Sequence, residues 1–521
     1  MIVSILNDVI GPVMRGPSSS HCAAALRIGR LARDLMGGEM QDVLVEFDRQ
    51  GALPTTHESQ GSDMGLCGGL LGWDAADERL PAAREALRAA GVTLRIATVD
   101  SGDPHPNTYR LTLTSGKAQH RLRAISTGGG MVEVVAIDDF PVSIAGDYYE
   151  TLLWVTQADP GLPQRLSDLV EADDVVLHAS EARCLVEIKA QRFLDERGVA
   201  ALPFSGAIRE IKRLGPVLPV RSRRGVTVPF HTCAEMLRLD AGRDVPLWRY
   251  GLEYETARGG LGEAEVLAQM GAIAQILRQS IRRGLAGTSS EDRLLGYQCG
   301  VFRQRLDAGR LLDAGALNRI VLYVAALMEV KSSLGVIVAA PTAGACAAVP
   351  GAILGMADAQ GLAEDAVVRA LLAAGLIGVF IASGWTFAAE VGGCQAECGA
   401  AASMAAAGLV SLAGGTLRQG VAAASMALQG MLGLICDPVA NRVEVPCLGK
   451  NVLAASQAVC CANMALADFD PVIPLDEVIE TAQRVGHQLP RELRCTGLGG
   501  LAITATSRRL ESELAARKSP R

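Results

Sequence analysis

Beyond residue 229 the chain almost never alternates apolar with polar residues. Ala, Leu and Met recur there at helical spacing, and glycines separate the segments. Residues 229–515 therefore predict one compact all-α domain, with its chemistry on the glycine-rich connections. Aromatic residues make up only 4% of the chain, so the core has to be built from Ala, Val, Leu and Ile. At 521 residues the chain exceeds one ordinary core and predicts roughly two to four domains.

The part before residue 229 reads differently. "DVLVEFD" (42–48), "TLRIATVD" (93–100) and "YRLTLTS" (109–115) alternate and are rich in β-branched residues, which predicts strands. "ERLPAAREALRAAG" (78–91) predicts an amphipathic helix. Residues 1–147 thus predict an α/β or α+β domain. Residues 148–220 read as a smaller unit: strand-like "YETLLWVTQ", helical "GLPQRLSDLVEA", a strand-turn-strand in "DDVVLHASEARCLVEIKA", another helix, and strand-like "GPVLPV". The order β-α-β-β-α-β is ferredoxin-like and resembles an ACT domain, an amino-acid-sensing module. "VRSRRGVTV" (220–228) reads as a linker. The fold class expected is multidomain α+β.

The formal net charge is −7 and no large basic block stands out, which argues against nucleic acid as a partner. The N-terminal stretch lacks a basic region and carries Asp8 in its apolar run, unlike a signal peptide. Asp365 and Arg369 interrupt the long apolar run 364–383, whose alanines and glycines suit helix packing rather than a membrane span. There are thirteen cysteines. Without an export signal the expected compartment is the reducing cytoplasm, and a disulfide framework is not expected. Most should be small buried hydrophobes, Cys460 and Cys461 among them; some could bind metal. Lys331, in "EVKSSLG", has no phosphate-binding context around it and reads as an ordinary lysine.

Four segments are too unusual for packing alone: "GPSSSHC" (16–22), "VAAPTAGACAAVPG" (338–351), "AAEVGGCQAECGAAASMAAAG" (388–408) and "CDPVANRVEVPCLGKN" (436–451). With "HPNT" (105–108), "STGGG" (126–130) and "TGLGGLA" (496–502), they resemble, in order and over nearly the whole chain, the iron–sulfur-dependent L-serine dehydratases (L-serine ammonia-lyases). In that resemblance residues 1–147 look like the family's β part and the helical region like its α part, fused in one polypeptide with the ACT-like segment between them.

The resemblance implies a [4Fe–4S] cluster held by Cys394, Cys436 and Cys447. Three thiolates leave one iron free to bind a substrate hydroxyl as a Lewis acid. Ser18, Ser19, Ser20 and His21 fall on the family's substrate-binding stretch, with Thr342, Gly344 and Asn451 as further substrate contacts. Cys398 reads as a neighbour of the ligands. The implied reaction is β-elimination of water from a β-hydroxy amino acid, by default L-serine to pyruvate and ammonia. That would make the chain a cytoplasmic lyase of amino-acid metabolism feeding gluconeogenesis. An ACT-like unit further implies an amino-acid effector and a homo-oligomer.

Two departures qualify the substrate. Gln60 stands where the family has a candidate basic histidine, and an amide is no base near neutral pH; His57, three residues upstream, is the replacement candidate. The loop 289–300 carries Arg293, Tyr297 and Gln298 where the family has smaller residues. Two other functions therefore fit the same residues: a lyase of this scaffold acting on another β-substituted amino acid or hydroxy acid, and a non-catalytic amino-acid or redox sensor.

Overall fold

The computed structural model describes residues 2–518 apart from 117, 157–160, 170, 181–182, 203 and 291. The end of the first strand proposed for the small unit, a residue of its first helix, the tip of its strand-turn-strand and Glu291 of the 289–300 loop lie outside the described residues.

The fold is mixed α and β. The first sheet has six strands in the order Thr93–Val99, Asp42–Asp48, Thr108–Ser115, Ala118–Gly128, Met131–Ile137, Phe140–Ile144. The first pair is parallel and the others antiparallel. The three strands read from alternation fall within a residue of their expected bounds. Along Asp42–Asp48 the side chains of Val43, Val45 and Phe47 alternate into the core, the period-two pattern that identifies a half-buried strand. The predicted helix 78–91 is a 3₁₀ turn followed by the helix Ala83–Ala89.

The second sheet has the order Ile208–Leu214, Tyr149–Val155, Cys184–Ala190, Asp174–Ala179, all antiparallel. With the helices Leu162–Leu169 and Glu196–Ala200 its chain order is β-α-β-β-α-β. One expectation fails. "GPVLPV" (215–220) is not a strand; the last strand is the preceding Ile208–Leu214, whose charged residues hide its alternation. Two prolines remove donors from 215–220. Its remaining N–H groups bond elsewhere: Gly215 to Asp34 at 2.8 Å, Val217 to the Gly146 carbonyl at 2.8 Å, and Val220 to the Asn7 amide oxygen at 2.8 Å.

From Cys233 the described residues form helices and their connections, with the two-residue strand Ile337–Val338 the one exception among them. The helix Glu364–Gly384 is long and apolar enough to cross a membrane, yet 78% of its apolar window is buried inside the protein. It packs between Leu247–Gly259 and Ala400–Leu412. Small residues set the helix spacing here. A Cβ on Gly284 would lie 2.0 Å from the Ala326 carbonyl oxygen, a contact that only helix separation relieves. Gly284→Ala is expected to cost about 1–3 kcal/mol, read as a lower urea midpoint at unchanged slope.

Cys460 corrects another expectation. It is exposed while Cys461 is buried, because adjacent residues on the helix Cys447–Leu466 point about 100° apart and cannot both face the core.

The first residues belong to the helical core rather than to the sheet that follows them. Ile5, Leu6, Val9, Ile10 and Met14 pack inside it, and Val13–Met14 pairs antiparallel with Ile337–Val338. Buried Glu255 receives the Ser4 hydroxyl at 2.5 Å and the Ile5 N–H at 2.7 Å.

Candidate active site

The unusual segments converge where this N-terminal arm enters the helical part. Two of them begin a helix with a π-helical turn: Ser19–Ala23 before Ala24–Leu35, and Gln395–Gly399 before Ala400–Leu412. Such turns are rare and concentrate at functional sites. They carry His21, and Glu397 and Cys398.

The Ser19 hydroxyl accepts the Ala343 N–H at 3.1 Å, tying the serine-histidine stretch to the small-residue loop. In that loop Thr342 donates to Glu397 at 2.6 Å, and Glu397 stands 4.0 Å from the Cys394 sulfur. A Cβ on Gly344 would come within 2.6 Å of the Glu397 carboxylate, so only glycine fits under it. Asn451 closes the loop from the other side. It donates to the Gly344 carbonyl at 2.8 Å and the Cys447 carbonyl at 2.9 Å, and accepts the Ala347 and Ala348 N–H groups. Ser18, Ser20 and His21 are buried beside this network.

The His21 Nδ1 atom lies 3.1 Å from the Ser18 hydroxyl and 3.5 Å from Glu390, and Nε2 lies 2.8 Å from the Thr56 hydroxyl. Burial, reinforced by nearby His57, pulls the imidazole down to about 3. Burial, reinforced by Glu397, pushes the Glu390 carboxyl up to about 7. Both groups are thus driven toward neutrality, and their contact is not an ion pair. Asn107 is fully buried beside Glu390, and neither end of its amide finds a hydrogen bond of good geometry.

Cys394, Cys436 and Cys447 are all buried. The ligating atoms of Cys394, Glu397 and Cys436 lie within 4.8 Å of one another. Hydrogen bonding to Cys394 and Cys495, with burial, raises the Cys436 thiol, and burial pushes Cys447 up to about 12. Cys398 is buried next to Cys394 and Cys447 and is raised chiefly by burial.

Two lysines brace the cysteine loop. Lys450 reaches the Cys394 sulfur at 3.7 Å, the Ile435 carbonyl at 2.7 Å and Asp437 at 2.8 Å. Burial opposes its charge, but Cys394 and Asp437 outweigh burial and raise it. Lys331 is more than an ordinary lysine: it is fully buried, donates to the Val443 carbonyl, and opposes the upward shift of Cys447. The 289–300 loop supports the same structure. Leu294 and Leu295 N–H groups bond Glu444 at 3.0–3.1 Å, and Arg293 pairs with Glu329 at 2.7 Å. Tyr297 is occupied by the Leu285 carbonyl.

His57 takes a different place. Its Nδ1 is 2.6 Å from Asp63, Phe47 packs on its ring at 5.4 Å, and it lines a groove with Ala440–Arg442 and Glu511. Gln60 is buried and touches the Cys495 sulfur at 3.7 Å. Glu390, Glu397, Lys450, Asn107, Thr56 and Cys495 were not singled out from sequence. Glu397 alone had a local signal, one helical turn after Cys394; the others arrive by tertiary contact.

Buried thiols, a carboxyl held near neutrality and a hydroxyl-lined loop meeting at the junction of two regions make an enzyme site, and the chain's relatives make its class a lyase. The family model for the serine dehydratase alpha chain matches residues 182–502, and the chain belongs to that family. The probable L-serine dehydratase alpha chain of Bacillus subtilis (strain 168) is 38% identical over 250 residues, 48% of this chain and 83% of its own length. The probable beta chain of the same organism is 40% identical over 141 residues, 27% of this chain and 63% of its own. L-serine dehydratase of Streptomyces coelicolor is 28% identical over 499 residues, 94% of this chain and 96% of its own. Alpha-chain and beta-chain sequence are thus fused in one polypeptide.

Proposed function

We propose that this chain is an iron–sulfur-dependent lyase that eliminates water from a β-hydroxy amino acid, with L-serine the default substrate. The observation that carries the reading is the convergence of Cys394, Cys436 and Glu397 atoms within 4.8 Å, beside the serine-histidine stretch. Buried thiols drawn from separate segments, with lysines alongside, suit a cluster of soft irons. Cys394, Cys436 and Cys447 would hold a [4Fe–4S] cluster, and taking up metal would release their protons. When bound, the cluster supplies a Lewis acid for a hydroxide that is otherwise a poor leaving group.

The remaining work falls to the chain. Ser18, Ser19, Ser20 and His21, with Thr342, Gly344 and Asn451, hold the substrate carboxylate and orient its β-carbon; burial excludes bulk water. His57, oriented through Nδ1 by Asp63, takes the α-proton as general base. Loss of water leaves aminoacrylate, which tautomerises and hydrolyses to pyruvate and ammonia. Residues 1–147 supply the β-chain-like part, 229–515 the cluster-binding α-chain-like part, and 148–220 an ACT-like regulatory unit that takes an amino-acid effector within a homo-oligomer.

The test is an anaerobic panel of β-hydroxy and β-substituted amino acids and hydroxy acids, read beside iron and sulfide content. Pyruvate from L-serine is expected. Turnover confined to another compound would favour the divergent lyase, and binding without turnover the sensor. Deleting 148–220 should change both kinetics and mass.

A further inference from the structure

Away from the cysteines, a cavity of about 480 Å³ lies where the three regions of the chain meet, a volume common for small-molecule pockets. One wall is the N-terminal arm, with Leu6 and Ile10. Another is the helix Glu263–Ala286, with Ile273 and Ile276, and a third is the stretch 216–219 that leaves the small unit. Arg27 and Arg30, one turn apart on the helix Ala24–Leu35, line it together with Asp74. Arg27 feels the charges of both Arg30 and Asp74, so the three lie together. Arg27 is 4% exposed. Its Nη1 donates to the Gly130 carbonyl at 2.7 Å and touches the Met131 sulfur at 3.5 Å. Among the described residues no carboxylate comes within ion-pair distance of Arg27 or Arg30, although burial penalises the Arg27 charge. Asp74 accepts only the Ala76 N–H of its own turn, at 3.2 Å.

We propose that this cavity binds a free α-amino acid with a large apolar side chain, and that its occupancy is felt at the serine-histidine stretch. Arg27 and Arg30 take the ligand carboxylate through their remaining N–H groups. Asp74 takes the ammonium group, and Leu6, Ile10, Ile273 and Ile276 cover the side chain. A simple fatty acid would set its carboxylate facing Asp74, and a simple amine would leave both arginines without an anion. A zwitterion answers both signs. Alanine or serine would answer the charges but leave the apolar walls wet, so the site selects for bulk. Arg27 also ties the cavity to the active site. Its helix continues the π-helical turn that holds His21, and its Nη1 holds Gly130, the last residue of "STGGG". Gly130 in turn lies against Pro12 and Ala23, which a Cβ there would approach to 3.1 Å and 3.4 Å. An occupant that clamps Arg27 and Arg30 thus stiffens the helix on which the serine-histidine stretch is mounted. No cysteine takes part, so the inference stands apart from the cluster reading.

The test uses full-length protein prepared anaerobically, with L-leucine as the probe. Isothermal titration calorimetry should show L-leucine binding roughly tenfold tighter than L-alanine. The analogues 4-methylpentanoate, without the ammonium group, and 3-methylbutylamine, without the carboxylate, should each bind roughly tenfold more weakly than L-leucine. Arg30→Ala and Asp74→Asn should weaken L-leucine by a similar factor. Asp74 is exposed and Arg30 half-buried, so both variants should keep the wild-type circular dichroism. Amide hydrogen exchange across residues 18–30 should slow when L-leucine binds the wild type, and stay unchanged in Arg30→Ala. Absence of L-leucine binding overturns the proposal. Equal binding by wild type and both variants overturns it too, since the ligand then sits elsewhere, the ACT-like unit included. Binding without any slowing of exchange overturns the link to the serine-histidine stretch.

Discussion

Cys436→Ala is expected to lose nearly all bound iron and sulfide and to lower turnover by roughly 10³-fold or more, with far-UV circular dichroism unchanged. The fold should survive because the loop does not depend on this side chain. Cys436 is held by its backbone through the bridge to Leu493 and Cys495, and its neighbour Asp437 is anchored by Lys450. Lys331 holds the far side at Val443. Cys460→Ala is the control. That thiol is exposed, on the same helix that begins at Cys447, and its loss should change neither metal content nor rate. A Cys436→Ala protein with full iron content would remove this residue from the ligand set.

Glu390→Gln is expected to stabilise the metal-free protein at high pH and not at low pH. Burial raises the folded carboxyl to about 7 from an ordinary value of 4.5. Below the ordinary value both folded and unfolded states are protonated, and burial of the neutral acid costs no charge. Between 4.5 and about 7 the folded state holds a proton that the unfolded state releases, so stability falls as pH rises. Above that window the cost is complete, at about 3 kcal/mol. Glutamine cannot ionise and removes the cost. Urea denaturation at pH 5 and pH 8 should show the variant gaining far more midpoint over wild type at pH 8 than at pH 5, where the window has only begun. Equal gains at both values would mean that the carboxyl is not held near neutrality.

The first strands were legible because each buries one face, and burial writes its period into the sequence; Asp42–Asp48 is the clear instance. Glu364–Gly384 was legible instead as a long apolar run, since it is buried on nearly all sides. The strand Ile208–Leu214 was not legible: its sequence, IREIKRL, puts charge on a sheet face that is only half covered. At the site, the cysteines and the serine-histidine stretch stood out by rarity and order. Glu390 did not, because a lone glutamate in an alanine-rich segment carries no local pattern. Nor did the meeting of Gln60 with Cys495, 435 positions apart in the chain. Lys331 was misread for the same reason. Its importance lies in the Val443 carbonyl it reaches across 112 positions, which no window around it contains.

The N-terminal arm bears on the order in which the protein is made. Residues 5–14 leave the ribosome well before the segments they pack against, which lie in the far half of the chain. The six-stranded sheet, whose strands all lie within residues 42–144, has its contacts within early reach and can fold as it is synthesised. The arm cannot, and it carries Ile5, Val9, Ile10 and Met14 uncovered until Leu247–Gly259 and Ile337–Val338 exist. The nascent protein thus passes through a stage with a folded sheet and a waiting apolar segment, the stage at which a chaperone would find most to hold.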